Sequence, residues 1–346
     1  MSKIFVTGAT GFLGREIIEQ LLTDGHEVVA LARKRSLNAL DIQNFSKLKW
    51  IEGDICESQV LARSEDFEII ANCNQIIHAA ALYDLTASPS LLYDANVVGT
   101  HNILSLAEKM SQLEAFHHIS TLAIAGDYKG IFTEEMFDEG QTFPDAYSST
   151  KFAAEGCVRG WLGPAAKYIH RLGVVVGHSK TGAFAKVDGP YYMIRGLKRL
   201  LNLLPWLRLS PIYPIPYCEK ARIFLVPVDI AVKALLQVVN SPLESMSGFV
   251  KTYHIMGELG GIPIRFLLER VFREFDCGHM FAPFPSGPLT EVSLKALGIP
   301  KQTEAYMRSK CRFTTNKICK DYPKVVFPKF EDYGPTMLEY ARQNLI

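Results

Sequence analysis

Thr7-Gly8-Ala9-Thr10-Gly11-Phe12-Leu13-Gly14 decides how this chain folds, because of what lies on either side of it. Before it, Ile4-Phe5-Val6 reads as a short strand. After it, Leu13, Ile17, Ile18, Leu21 and Leu22 recur at the spacing of one helix face, which stops at Asp24-Gly25. A second apolar run at 27–32 completes a βαβ unit. Glycines between strand and helix permit a tight turn and close backbone approach, and the helix N-terminus offers unpaired N–H groups and partial positive charge to a pyrophosphate. The expectation is a phosphate cradle made by Gly8, Thr10, Gly11, Phe12, Leu13 and Gly14, with a purely structural turn as the alternative.

Outward from this unit, further strands are expected at 48–52, 75–78, 116–120 and 168–172, alternating with helical periodicity at 91–110 and 147–159. That alternation implies an α/β chain, a Rossmann-type doubly wound parallel sheet covered on both faces. Beyond residue 177, Gly182, Gly189-Pro190, Pro205, Pro211, Pro214 and Pro216 exclude one long helix, and the core sheet is expected to stop there. A helix at 227–238 and a strand at 251–255 then bring the chain back. The expected division is a nucleotide-binding core over 1–176, rejoined by 222–256, with 177–221 and 257–346 forming a smaller substrate-binding or lid part.

With 346 residues, 48% apolar and 21% charged, the chain can bury a large core. Its 37 basic and 36 acidic residues leave a formal charge of +1, so no overall field recruits nucleic acid or an anionic membrane, and any anion must be held locally. The 7 cysteines are scattered and never in C-x-x-C spacing, which argues against a disulfide framework or a zinc site. No apolar run reaches the ~20 residues of a membrane span, and the apolar pattern at the start leaves no room for a signal peptide. These features predict a soluble cytoplasmic protein without an integral membrane segment.

About 20 residues past the glycines, where an acid would hold the ribose 2′-hydroxyl of NAD, the chain has Arg33-Lys34-Arg35. A guanidinium grips a 2′-phosphate, so Arg33 and Lys34 favour NADP(H) over NAD, against the alternative of a solvated basic loop. Asp54 and Ile55, after the third strand, are placed to cover the adenine, or Asp54 simply caps a turn.

Tyr147-Ser148-Ser149-Thr150-Lys151 puts a phenol and an ammonium at i and i+4 on one helix face. A phenol with a pKa of about 10 is a poor acid/base at neutral pH, but a neighbouring ammonium and an oxidised nicotinamide stabilise its phenolate. The pair is common by chance; its company is not. The cradle, His78-Ala79-Ala80, Asn96-Val97-Val98-Gly99-Thr100, Ser120-Thr121 and Tyr147 to Lys151 occur in an order and at spacings that resemble the extended short-chain dehydrogenase/reductase superfamily over about residues 1–260.

The resemblance implies a nicotinamide cofactor bound along the strand ends, with Ala79, Ala80 and Ser120 among its contacts. It also implies Thr121 hydrogen-bonding the reacting oxygen, Tyr147 as catalytic acid/base and Lys151 as its partner. Val174, within Arg171-Leu172-Gly173-Val174, matches the segment whose backbone meets the carboxamide, although Leu172 stands where the family usually has Pro. Arg222 matches a residue that meets the substrate diphosphate in nucleotide-sugar members. Alternatives stay open: Thr121 as a strand cap, Asn96 bonding only helix backbone, Arg222 on the surface and Asp229 as a helix cap. His78 is read as a packed strand-end residue rather than a catalyst.

Leu122-Ala123 replaces the acidic pair of the 4,6-dehydratases, which removes that reaction, while epimerisation with a tightly bound NAD survives. Residues 173–182, Asp188-Gly189-Pro190-Tyr191-Tyr192 and the closing 327–333 resemble the branch of thioester reductase domains, fatty-acyl reductases and carboxylic acid reductases. That implies hydride transfer between NADPH and a small-molecule carbonyl or an acyl thioester carried by CoA or a carrier protein. Tyr83 is a candidate substrate contact. The stretch 197–217, with Trp206, Tyr213 and Tyr217, reads as an acyl pocket, a lid or an interfacial helix. A nucleotide sensor without turnover, and assembly as a homodimer, are both compatible with the sequence.

Overall fold

Parallel strands buried on both faces need continuous apolar runs, and the runs named above become β1 (Lys3–Thr7), β2 (Glu27–Ala32), β3 (Leu48–Glu52), β4 (Gln75–His78) and β5 (Ala115–Thr121). The computed structural model describes residues 1–345 apart from 39–45, 244–247, 279, 284, 285, 288, 289, 292, 293, 296, 297 and 315. After the short β6 (Gly130–Phe132), β7 (Ala166–Leu172) returns to the sheet, and β8 (Val174–Val176) leaves it. The later strands are β9 (Tyr213–Ile215), β10 (Arg222–Ile223), β11 (Leu225–Pro227), β12 (Val250–Ile255), β13 (Ile262–Pro263), β14 (Phe281–Pro283) and β15 (Cys311–Phe313). The main sheet has 7 strands in the order β12-β7-β5-β4-β1-β2-β3, every pairing parallel.

The main sheet is interrupted after β7 and resumes where the chain returns over 222–256. β12 pairs with β7 along its whole length, Val250 opposite Lys167 through Ile255 opposite Leu172, so the return is a seventh strand of the same sheet. β7 is buried at every residue, so the backbone N–H and C=O groups along its outer edge need a partner strand.

Helices cover both faces. On one, α1 (Phe12–Thr23) and, far along the chain, the helix Val228–Val239 bury Ile17, Leu21, Val232 and Leu235. On the other, the helices Gly99–Ala107 and Ala146–Gly160 bury Ile103, Leu104 and Val158. The helix expected over 91–110 is interrupted by a π-helical turn at Asp94–Val98. There the Asn96 amide does more than bond its own helix, accepting from Leu82 N–H at 2.8 Å and donating to Thr150 Oγ1 at 3.1 Å. A third core joins the helices Pro190–Leu203, Ile264–Arg273 and Phe330–Asn344 through Tyr191, Leu268, Tyr333 and Met337.

Histidines line the middle of the sheet. His78, His117, His118, His170 and His254 are all buried. Burial lowers the imidazoles of His78, His170 and His254 to about 3 and those of His117 and His118 well below the ordinary value. Neither ring nitrogen of His118 has a hydrogen-bond partner among the described residues. A histidine held neutral in the fold contributes stability above its unfolded pKa of about 6.5, and that contribution is lost as the pH falls, by about 1.4 kcal/mol per pH unit for each group. The urea midpoint is therefore expected to drop steeply between about pH 6.5 and 5; a midpoint unchanged down to pH 5 would contradict this reading.

Candidate active site

The doubly wound topology splits between β1 and β4, where the helices change face, and the strand ends open a crevice at that point. Thr7 closes β1 and fixes the split: its Oγ1 bonds His78 Nδ1 at 2.8 Å and accepts from Ala80 N–H at 3.3 Å. His78 Nε2 reaches Thr100 Oγ1 at 3.0 Å, so this histidine is a packed strand-end residue.

Gly8 follows at φ +72, and a Cβ there would sit 2.5 Å from Ala80 N. A Cβ on Gly14 would lie 2.1 Å from Gly8 O, so α1 rests directly on the turn. Gly11 precedes α1 without a capping side chain. The first-turn N–H groups are thus left for an outside acceptor. Glycine at 8 and 14 is thus required by the close approach of the turn to its own backbone, and the uncapped first turn it exposes fits a pyrophosphate.

Thr121 ends β5, and its Oγ1 accepts from Ala123 N–H at 3.2 Å, with its hydroxyl near enough to the Tyr147 phenol to favour the ionised form. Tyr147 lies in the first turn of α6 (the helix Ala146–Gly160), where Asp145 caps by accepting from Ser148 N–H at 2.7 Å. One turn later Lys151 is buried, its Nζ donating to Ile119 O at 2.7 Å. Burial lowers this ammonium to about 8. It also raises the Tyr147 phenol above its ordinary value, only partly opposed by the nearby Thr121 hydroxyl. Desolvation dominates at the phenol, and the Lys151 ammonium is turned to the Ile119 carbonyl.

A cavity of about 830 Å³ connects these groups. Gly8, Gly11, Phe12, Leu13, Gly14, Ala79, Ser120, Thr121, Tyr147, Lys151, Val174, Tyr83 and Arg222 all line it. The Tyr83 ring stands edge-on to Tyr147 with centroids 4.7 Å apart. Val174 donates its N–H to Phe224 O at 2.8 Å, so strand alternation leaves the backbone polar groups of Val175 as those facing away from β11. Arg222 Nη1 donates to Gly261 O at 2.7 Å and Gly260 O at 3.2 Å, which ties it to a turn while it lines the cavity.

Thr10, Arg33, Lys34, Asp54, Ile55 and Ala80 lie outside that lining. Arg33 and Lys34 are exposed at the end of β2. Asp54 Oδ1 accepts from Cys56 N–H at 3.0 Å, so it does cap a turn. Ile55 is buried against Gly99, where a Cβ would come within 2.6 Å of its Cδ1. Asp229 is not a cap: its carboxylate accepts from Ser179 N–H at 2.8 Å and Ser179 Oγ at 2.7 Å.

Two groups escaped the sequence reading. Tyr306, from the distant helix Thr303–Arg308, donates to Asp145 Oδ2 at 2.7 Å and so latches the C-terminal part onto the start of α6. Asp188 lines the cavity, and burial pushes its carboxyl up to about 7, with Lys186 opposing. As pH rises through that value the group ionises beside the Tyr147 end of the cavity. Asp188→Asn is expected to remove an inflection near pH 7 from the pH profile of turnover; a profile identical to native would refute that role.

Residues 6–235 match the Male sterility protein family of NAD-binding proteins. The nonribosomal peptide synthetase asaC of Aspergillus flavus is 26% identical over 281 residues, 73% of this chain and 26% of that one. Overall, the chain spans less than half the length of the curated relatives it matches. Among solved structures, the terminal R domain from the myxalamid PKS-NRPS pathway superposes with TM-score 0.74 at 22% identity, covering 100% of this chain and 92% of that one. UDP-glucuronic acid 4-epimerase from Bacillus cereus, solved with UDP-glucuronic acid and NAD, gives TM-score 0.68 at 17% identity over 99% of each chain. Glycine cradle, switch-point crevice and sequence match agree, and the chain belongs to the Male sterility protein family, with the extended short-chain dehydrogenase/reductase fold.

Proposed function

We propose that this protein is an NADPH-dependent reductase of a carbonyl presented as an acyl thioester or an aldehyde. The observation that carries the reading is that the glycine cradle and the Thr121, Tyr147 and Lys151 side chains line one cavity. Much of that wall is apolar, with Leu82, Leu122, Phe184, Met193, Leu267 and Phe313, although Lys186, Asp188, Arg222 and Arg308 also border it. Such a wall suits an acyl chain better than a sugar. The asaC synthetase and the myxalamid R domain support the thioester form by likeness.

In this reading Gly8, Gly11 and Gly14, with the start of α1, hold the pyrophosphate, and Arg33 and Lys34 grip the 2′-phosphate. The bound nicotinamide supplies the hydride. Thr121 donates a hydrogen bond to the substrate oxygen, and Tyr147 delivers its phenolic proton to the same atom. Lys151 has spent one of three donors on Ile119 O, leaving two for ribose hydroxyls. Tyr83 packs the substrate against Tyr147.

The test is NADPH oxidation with a panel of acyl-CoA thioesters, carrier-bound thioesters and aldehydes, with UDP-sugars as the epimerase arm. Turnover confined to UDP-sugars would overturn the reductase reading in favour of an epimerase with tightly held NAD, for which Arg222 in the cavity wall is the supporting feature. Cofactor choice has its own check. Arg33→Ala is expected to weaken NADPH about ten- to a hundredfold, the equivalent of ~1.5–3 kcal/mol, and to leave NADH unaffected. Equal native affinities for the two cofactors would remove the NADP assignment.

A further inference from the structure

Between Asp188 and Glu219 the chain has no acidic residue and four cations, Arg195, Lys198, Arg199 and Arg208. This segment opens with α7 (Pro190–Leu203), whose apolar face is already spent: Tyr191, Ile194, Leu197 and Leu201 are buried in the third core. At its end the pattern inverts. Leu203 is 69% exposed, Trp206 63% and Leu209 86%, and Leu204 and Ile212 are also exposed. Pairing of β9 with β14, and donation from Tyr213 N–H to Met280 O at 2.9 Å, set the exposed Met280 beside them.

The apolar side chains project from a 3-10 turn, Pro205–Leu209, with Pro211 shortly after. Arg199 is exposed on the preceding helix, and Arg208 holds Leu201 O at 3.5 Å, so cations bracket the apolar tip. Asp276 is the acid that approaches from the facing segment, where it and Arg208 both act on the Cys277 thiol. A formal charge of +1 gives the whole molecule no attraction for an anionic surface, so this local excess must supply it.

We infer that residues 203–212, with Met280, form an anchor that seats the protein on an anionic lipid surface. Trp206, Leu209 and Leu203 enter the headgroup boundary, and Arg199 and Arg208 face the lipid phosphates, while the Lys198 ammonium is held by the carbonyls of Arg342 and Leu345. An irregular tip of separate large side chains suits a fluid interface, which adapts to it, rather than a rigid protein groove. The anchor lies on the surface and does not span it: α7 has 14 residues, and among the described residues no helix is long and apolar enough to cross a membrane. None of the residues 203–212 lines the catalytic cavity, so the inference is independent of the reaction proposed above.

The full chain should co-sediment with mixed phosphatidylcholine and phosphatidylglycerol vesicles, less so at high salt, and weakly with phosphatidylcholine alone. Trp206→Ser combined with Leu209→Ser should lower the partition coefficient about tenfold or more, and Arg199→Glu by at least about fivefold. Melting temperatures should stay native, because these side chains are exposed. Should the double variant misfold, quenching of the native protein by brominated lipid, abolished in Trp206→Phe, reads the same insertion. Absence of binding to the mixed vesicles, or binding that the substitutions leave unchanged, overturns the proposal. So does a concentration-dependent dimer broken by the same substitutions, which would make a second copy the occupant.

Discussion

Tyr147→Phe is expected to cut turnover by about 10²–10⁴-fold, the usual cost of losing a general acid/base, while NADPH still binds. Phenylalanine keeps the ring that meets Tyr83 edge-on and removes only the hydroxyl beside Thr121. The measurement is steady-state NADPH oxidation on a verified substrate, beside NADPH affinity by fluorescence titration. Near-native turnover would mean the proton comes from elsewhere, and Asp188, held protonated near neutrality by burial, would be the next group to test.

Glu155→Ala should be the most damaging change to the fold itself, at about 3–5 kcal/mol of stability. Glu155 and Arg171 are fully buried and meet at 2.7 Å, with Arg159 at 2.8 Å on the same oxygen. Ser120 Oγ donates to the other oxygen at 2.6 Å, so the pair also fixes the end of β5 beside Thr121. Removing the carboxylate leaves the Arg171 guanidinium buried with carbonyl partners but no anion. Burial alone would raise the Glu155 carboxyl; attraction and hydrogen bonds from Arg171, then Arg159 and Ser120, hold it below the ordinary value of 4.5. Its contribution is therefore complete above that value and is lost as pH falls through the lower folded one. Urea melts of Glu155→Ala and Glu155→Gln at neutral pH test this, and a loss under about 1 kcal/mol would show that the pair is not essential.

What the sequence revealed and what it hid divide along the range of the forces involved. The strands, the turn between β1 and α1 and the Tyr147 to Lys151 face depend on neighbours a few residues away, and local periodicity recorded them. Tyr306 meets Asp145, and Glu155 meets Arg171, only because the topology folds distant segments together. No spacing rule marks such pairs. Asp188 was visible as a letter within Asp188-Gly189-Pro190, but its chemistry comes from the apolar surroundings that α7 and the cavity wall build around it. Lys151 shows the same limit, since helix spacing fixes its face and not the carbonyl that its ammonium meets.

The late arrival of β12 has a consequence for the newborn chain. A ribosome that has finished β7 at Leu172 must add the whole of 173–249 before the matching strand begins at Val250. At ~5–20 residues per second this is roughly 4–15 s in which the outer edge of β7 stays unpaired. During that interval this edge is open to strands of other chains. A trigger-type holdase acting at the tunnel exit would therefore matter more for the yield of this protein than for a sheet whose last strand follows its neighbour directly.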